Sequence, residues 1–178
     1  TILLQLKASQ IAALNPLMVM AIIPFMNFAV YRQFEKRGRE FRPLQRMTTG
    51  MFLTAVAFGV AAVLQSQIEA AAAGGEKLHV LWQVIQYLLI TTAEVLVSIT
   101  GLEFAYTQAP RAMKSTIMGF WLLCVTAGNM IVAFLAPLQK TLELSEFFWL
   151  FTGLMAGAAV LFMLMAYLYK GKTYLQET

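Results

Sequence analysis

The chain has 178 residues, of which 60% are hydrophobic and 12% charged, and its mean hydropathy is +0.69. That balance excludes an ordinary soluble domain of this size and requires a chain embedded in lipid. The net charge of +4 does not point to nucleic acid, because the basic residues lie at the ends of apolar runs and not in an aromatic-interleaved patch.

Five apolar runs reach spanning length, at about 9–31, 47–64, 79–106, 115–136 and 147–169. A hydrocarbon core of about 30 Å takes roughly 20 helical residues, and lipid-exposed backbone must satisfy its own hydrogen bonds, so all five are expected to be helices. The first run contains Asn15-Pro16 and Pro24. Each proline removes an amide donor and frees a carbonyl one turn back, at Ala12 and Met20, which predicts a bent helix. The link that follows holds Arg32, Lys36, Arg37, Arg39, Arg42 and Arg46. The link from Ser66 to Leu78, with Ala70 to Ala73 before Gly74-Gly75, reads as a flexible connection. Arg111 and Lys114 follow the third run, and Lys170 and Lys172 follow the fifth, against Lys7, Lys77 and Lys140 on the opposite side. The positive-inside rule therefore predicts an N-terminus outside and a C-terminus in the cytoplasm. A chain that begins outside, and begins Thr1-Ile2-Leu3-Leu4, is expected to be part of something longer, with an odd number of helices before it.

Within the third run, and near the membrane midplane, stands Glu94. An acid at the centre of a membrane helix costs about 2.5 to 3.5 kcal/mol on insertion scales, and all thirteen Lys and Arg residues fall outside or at the margins of the apolar runs. Three situations fit an acid with no counter-charge in its own chain: it is neutral, it faces a water-filled cavity, or it meets a cation brought by a ligand or by another part of the protein. Each favours transport over passive scaffolding. Thr91, Glu94, Ser98, Gly101 and Leu102 recur at three- and four-residue steps, so they are expected to share one helical face, lining a cavity. Glu103 is expected to bond near the loop Thr107 to Pro110. In the fourth run Trp121 lies within the membrane, away from the headgroup belt that tryptophan favours; it either closes a cavity or packs as a bulky core residue. Trp82 reads as an interfacial anchor, and Gly153 with Gly157 as a small-residue helix contact.

Other chemistries find no support in the residues. The chain has no Asp, which excludes a paired-aspartate protease. His79, the lone histidine, falls at a run's end, and Cys124 is a single thiol inside an apolar run. No phosphate-binding glycine loop, metal-ligand cluster or nucleophile and base pair is present, so neither an enzyme nor a metal or organic cofactor is expected.

The run from Glu94 through Ser98, Gly101-Leu102-Glu103, Tyr106, Gln108-Ala109-Pro110 and Met113-Lys114-Ser115 resembles the tenth helix and following loop of the proton-dependent oligopeptide transporter family of the major facilitator superfamily. Ser9-Gln10 through Asn15-Pro16 resembles that family's entry into helix eight, and Gly119-Phe120-Trp121-Leu122 its helix eleven. The resemblance implies an all-α membrane protein whose five transmembrane helices, over residues 1–178, are helices eight to twelve of twelve and part of the C-terminal six-helix bundle. It implies proton-coupled symport of di- and tripeptides by alternating access, with protons as the coupling ion and no other cofactor. Its partners would be the peptide, the lipid bilayer and the N-terminal bundle of the same full-length protein, in a bacterial inner membrane. By resemblance Glu94 binds the peptide's α-amino group, Ser98 lies beside it, and Asn15 contacts the peptide backbone or its C-terminal side. Leu102 and Trp121 belong to the cytoplasmic gate, Trp121 being counted with the substrate site as well. A major facilitator carrier of another small solute and a non-transporting membrane scaffold subunit are the alternatives.

Overall fold

The computed structural model describes residues 8–36, 38, 41–73 and 82–169. His79, Gly74-Gly75, Arg37, Arg39, Lys7, Lys77, Lys170 and Lys172 lie outside them. In chain order the elements are α1 (Ala8–Phe25), a π-helical turn (Met26–Tyr31), α2 (Arg32–Lys36), α3 (Pro43–Ala73), α4 (Trp82–Glu94), a second π-helical turn (Val95–Ile99), α5 (Thr100–Thr107), α6 (Lys114–Leu135) and α7 (Leu144–Leu168). Short 3-10 turns at Arg111–Met113 and Ala136–Lys140 flank α6. Among the described residues four stretches are long and apolar enough to cross a membrane, Pro43–Ala71, Trp82–Thr107, Lys114–Lys140 and Leu144–Leu168, while α1 and the turn after it contribute a shorter one, Asn15–Ala29.

Local chemistry explains where these helices begin and turn. Pro43 occupies the first position of α3, where a missing amide costs nothing, and the Gln45 side chain accepts from the Arg42 amide at 3.3 Å. The helix therefore starts four residues before Met47. It also runs to Ala73, so Ser66–Ala73 is helical and not a flexible link: the alanines are strong helix formers, and Gln65 donates to Glu69 across one turn at 3.1 Å. Gly38, at φ +68°, takes the left-handed conformation that the turn between α2 and α3 requires. At the start of α7, Glu143 and Glu146 form a reciprocal capping box. Pro16 and Pro24 both lie inside α1, and the first π-turn opens two residues after Pro24, where the ladder has already lost a donor.

Two packing centres hold the helices together. Along α3 and α7, Ala57, Ala62 and Ala159 are fully buried, small side chains that let the two helices approach closely, and Phe58 stacks on Phe151 with centroids 5.8 Å apart. Glu69, near the end of α3, accepts hydrogen bonds from the Ser145 hydroxyl and amide in the first turn of α7. The other centre joins the two π-turns: Ile22, Met26, Val95 and Leu96 form one buried cluster, with Met18, Val19, Ile23, Tyr31 and Leu53 against it. No residue of α6 is buried among the described residues.

Arg46 fastens the start of α3 to the end of the first π-helical turn. Its guanidinium lies 3.9 Å from the Tyr31 ring centroid, and its Nε donates to the Phe41 carbonyl at 2.7 Å. A lysine offers neither the planar stacking face nor the directed fork. Arg46→Lys is expected to cost about 1–2 kcal/mol, part of the roughly 2–4 kcal/mol that a modest cation–π contact and one charge-assisted hydrogen bond supply together, because lysine keeps the charge. Thermal unfolding of the full-length protein in detergent measures this, and an unchanged midpoint would remove Arg46 from the list of stabilising contacts.

Candidate functional site

Residues far apart in the chain meet at the level of Glu94. Helix α1 carries Asn15, and α4 carries Thr91 and Glu94 one turn apart. Asn15 Nδ2 lies 3.5 Å from Glu94 Oε2, a long hydrogen bond between residues 79 positions apart. Thr91 is fully buried, and its hydroxyl lies 2.8 Å from Asn15 Oδ1 and 2.7 Å from the Tyr87 carbonyl of its own helix. Glu94 itself is exposed. Neither α1 nor α4 contains a Lys or Arg, so the acid is polarised by one amide and neutralised by no cation of its own helix or its neighbour.

The five-residue stripe does not share one face. Thr91 and Gly101 are buried, Glu94 and Ser98 are exposed, and Leu102 is half-buried. The reason is the π-turn at Val95–Ile99, which hydrogen-bonds five residues apart and so delays the burial pattern. Burial steps from Val95 to Thr100 and from Leu96 to Gly101, five residues each, where an α-helix would step by three or four. Glu94 and Ser98 consequently stay together on the open side while Gly101 turns inward.

At Gly101 the chain meets Trp121. A methyl group added to Gly101 would lie 2.9 Å from Trp121 Cη2 and 3.1 Å from Met47 Cε, so the indole rests directly on the glycine backbone and touches the next turn after Ser98. Trp121 is half-buried there. Farther along, Tyr169 donates to Gln108 at 3.2 Å and packs edge-on against Phe104. Those contacts hold the loop after α5; Glu103 is exposed and forms no bond to it among the described residues. Trp82 is exposed at the start of α4, and neither Gly153 nor Gly157 has a neighbouring side chain or backbone atom within 4 Å of where a methyl would sit, so no helix contact forms there among the described residues.

An apolar groove of about 710 Å³ runs between α3, α4 and α7, lined by Phe52, Val63, Trp82 and Trp149 among others, with no charged group in its wall. It offers nothing to recognise a charged solute. No group of three or more His, Cys, Asp or Glu that could hold a metal occurs among the described residues. Chemically, the arrangement around Glu94 presents one carboxyl acceptor, one amide and the Ser98 hydroxyl on the open side, with the Thr91 hydroxyl buried behind the amide. That set suits a small cation with several donors. Sequence reading names Asn15, Glu94, Ser98, Leu102 and Trp121 and puts Thr91 on the same stripe, but assigns Thr91 no binding role and gives no sign of its bond to Asn15.

Comparison with known proteins bears on this geometry. The sequence profile described as "PTR2: POT family" matches residues 2–150. Among curated proteins, "Peptide transporter PTR2" of Saccharomyces cerevisiae is 35% identical over 151 residues, covering 80% of this chain and 24% of that protein. "Solute carrier family 15 member 2" of Rattus norvegicus is 46% identical over 93 residues, covering 52% of this chain and 13% of that protein. Among solved structures, one described as an auto-inhibited POT family peptide transporter superposes with a TM-score of 0.85 at 36% identity, covering 100% of this chain and 36% of that one. The POT family transporter PepTSo gives 0.77 at 39% identity, covering 90% and 34%. The chain thus spans less than a quarter of the length of these curated relatives.

Proposed function

The chain belongs to the POT family, an integral, multi-pass, all-α membrane protein of major facilitator type, and from that premise we propose that it supplies half of the site of a proton-coupled di- and tripeptide symporter. In this reading the five helices are helices eight to twelve, completed by an N-terminal bundle of the same protein. The observation that carries it is the pairing of Glu94 with Asn15 on an open face where, among the described residues, no Lys or Arg bonds to the acid. A peptide's α-ammonium group supplies the missing charge.

The residue roles follow from this placement. Glu94 binds the ammonium and exchanges the coupling proton, since an intramembrane acid facing a cavity is the usual seat of such a relay. Asn15, being within reach of Glu94, stands at the amino end of the peptide and not at its C-terminal side. Ser98 lines the same open side. Trp121, seated on Gly101, closes the cytoplasmic end together with Leu102 as the two bundles rock about the site. In this reading the Arg46 end, rich in positive residues, faces the cytoplasm and the membrane is a bacterial inner membrane. The chain carries solutes; it does not transform them.

Reconstituting the full-length protein in vesicles and imposing an inward proton gradient tests the proposal. Labelled dipeptide should accumulate above equilibrium, and a protonophore should abolish that accumulation. Uptake indifferent to the gradient would remove the proton coupling, and failure of any di- or tripeptide to compete would remove the peptide.

A further inference from the structure

We propose that Thr91 is a positioning residue that lets the Asn15 amide turn over as Glu94 changes partners. The inference rests on the transport reading above and deepens it for the same site. Several threonines in this chain give their proton to the carbonyl four residues back, Thr48, Thr54, Thr92, Thr126 and Thr152 among them, as membrane helices commonly allow. Thr91 does so as well, at 2.7 Å, but it also has an acceptor on another helix at 2.8 Å, Asn15 Oδ1. A hydroxyl owns a single proton and two lone pairs, so it donates to one of these two oxygens at a time.

Each choice fixes one orientation of the amide. When Thr91 donates to Asn15 Oδ1, the amide NH₂ faces Glu94 and donates to a carboxylate oxygen, which matches the placement of the amide nitrogen and oxygen in this structure. When Thr91 donates to the Tyr87 carbonyl, its oxygen is free to accept from Asn15 Nδ2, and Oδ1 then faces Glu94. That second orientation is the one a bound ammonium needs, because an NH₂ turned toward it would set donor against donor. A protonated Glu94, donating its own O–H, needs it too. The two edges of an amide are nearly isosteric, so the exchange takes place in the same space, and every buried polar atom keeps a partner in both states. The burial of Thr91 makes this matter, since no solvent replaces a lost bond there.

The charged and titratable groups on the elements packed around Glu94 are Tyr31 on the first π-turn, Arg46 and Glu69 near the two ends of α3, Tyr87 on α4, and Glu103 and Tyr106 on α5. Glu94 bonds to none of them; its hydrogen-bond partner among the described residues is Asn15.

The test compares Thr91→Val, which keeps the shape and loses the hydroxyl, with Thr91→Ser, which keeps the hydroxyl, in the reconstituted full-length protein. Thr91→Val should raise KM for a free-amine dipeptide about tenfold, the equivalent of one buried hydrogen bond, with kcat nearly unchanged. Inhibition by the same dipeptide lacking its α-amine should stay within about twofold, and Thr91→Ser should restore KM to a similar margin. Equal losses for both ligands, no loss in Thr91→Val, or no rescue by Thr91→Ser would overturn the role of Thr91 while leaving peptide transport standing. A wild-type protein that takes up no dipeptide would instead bring down the transport reading, and this one with it.

Discussion

Glu94→Gln in the full-length protein should lower gradient-driven dipeptide accumulation by about tenfold or more while leaving the fold intact or slightly firmer. Glutamine fills the same volume and keeps an oxygen that can accept from Asn15 at the present 3.5 Å contact, so packing is not what changes. What disappears is the negative charge and the exchangeable proton. A hydrogen bond to a charged group contributes about 1.5–3 kcal/mol, which corresponds to roughly 10- to 150-fold in affinity for an ammonium ligand. An acid at the centre of a membrane helix meanwhile costs about 2.5–3.5 kcal/mol on insertion scales, more than an uncharged amide that keeps its hydrogen bond. Function and stability are therefore expected to move in opposite directions, which no purely structural acid would produce. Transport assays and thermal unfolding on the same preparation measure both. Wild-type accumulation by Glu94→Gln would take the acid out of the mechanism.

That prediction rests on residues the sequence makes visible one at a time but not together. An acid amid apolar residues announces itself, and so does an asparagine ahead of a proline in a helix that must cross lipid; their separation by 79 positions hides that they touch. The lengths of the apolar runs locate the helices, yet not their full reach. Ser66–Ala73 looks like a connection because hydropathy falls there, whereas alanine propensity and the Gln65–Glu69 pair continue α3 to Ala73. The π-turn at Val95–Ile99 leaves no local mark either: the segment contains no proline or glycine, and a periodicity argument that assumes 3.6 residues per turn assigns Gly101 to the same face as Glu94. The first π-turn is more legible, since Pro24 stands just before it. Thr91 is hardest to see, because a threonine on a membrane helix ordinarily satisfies itself on its own backbone.

Gly50→Ala should be among the most damaging small substitutions in the chain, and the reason lies in how the two π-turns are held. Gly50 is buried where α3 crosses the second π-turn. A methyl group there would stand 2.7 Å from Val97 Cγ2, 2.8 Å from Leu96 Cβ and 3.1 Å from the Ala93 carbonyl oxygen. Val97 is stiff at χ1, and the other two atoms are fixed by the backbone of α4 and its turn, so relief requires the helices to part. Leu96 belongs to the cluster with Ile22, Met26 and Val95, and parting α3 from it loosens the core that keeps Asn15 beside Glu94. Overpacking of this kind costs about 1–3 kcal/mol. Gly59→Ala on the same helix provides the control: its nearest neighbour would be Thr152 Cγ2 at 3.7 Å, ordinary van der Waals contact, and helix propensity favours the alanine by up to about 1 kcal/mol. Unfolding midpoints of the two variants should therefore fall on opposite sides of wild type, with Gly50→Ala also weakening dipeptide binding. Equal midpoints would mean that α3 and the π-turn are free to slide apart at no cost, and that the Asn15–Glu94 pairing is positioned by some other contact.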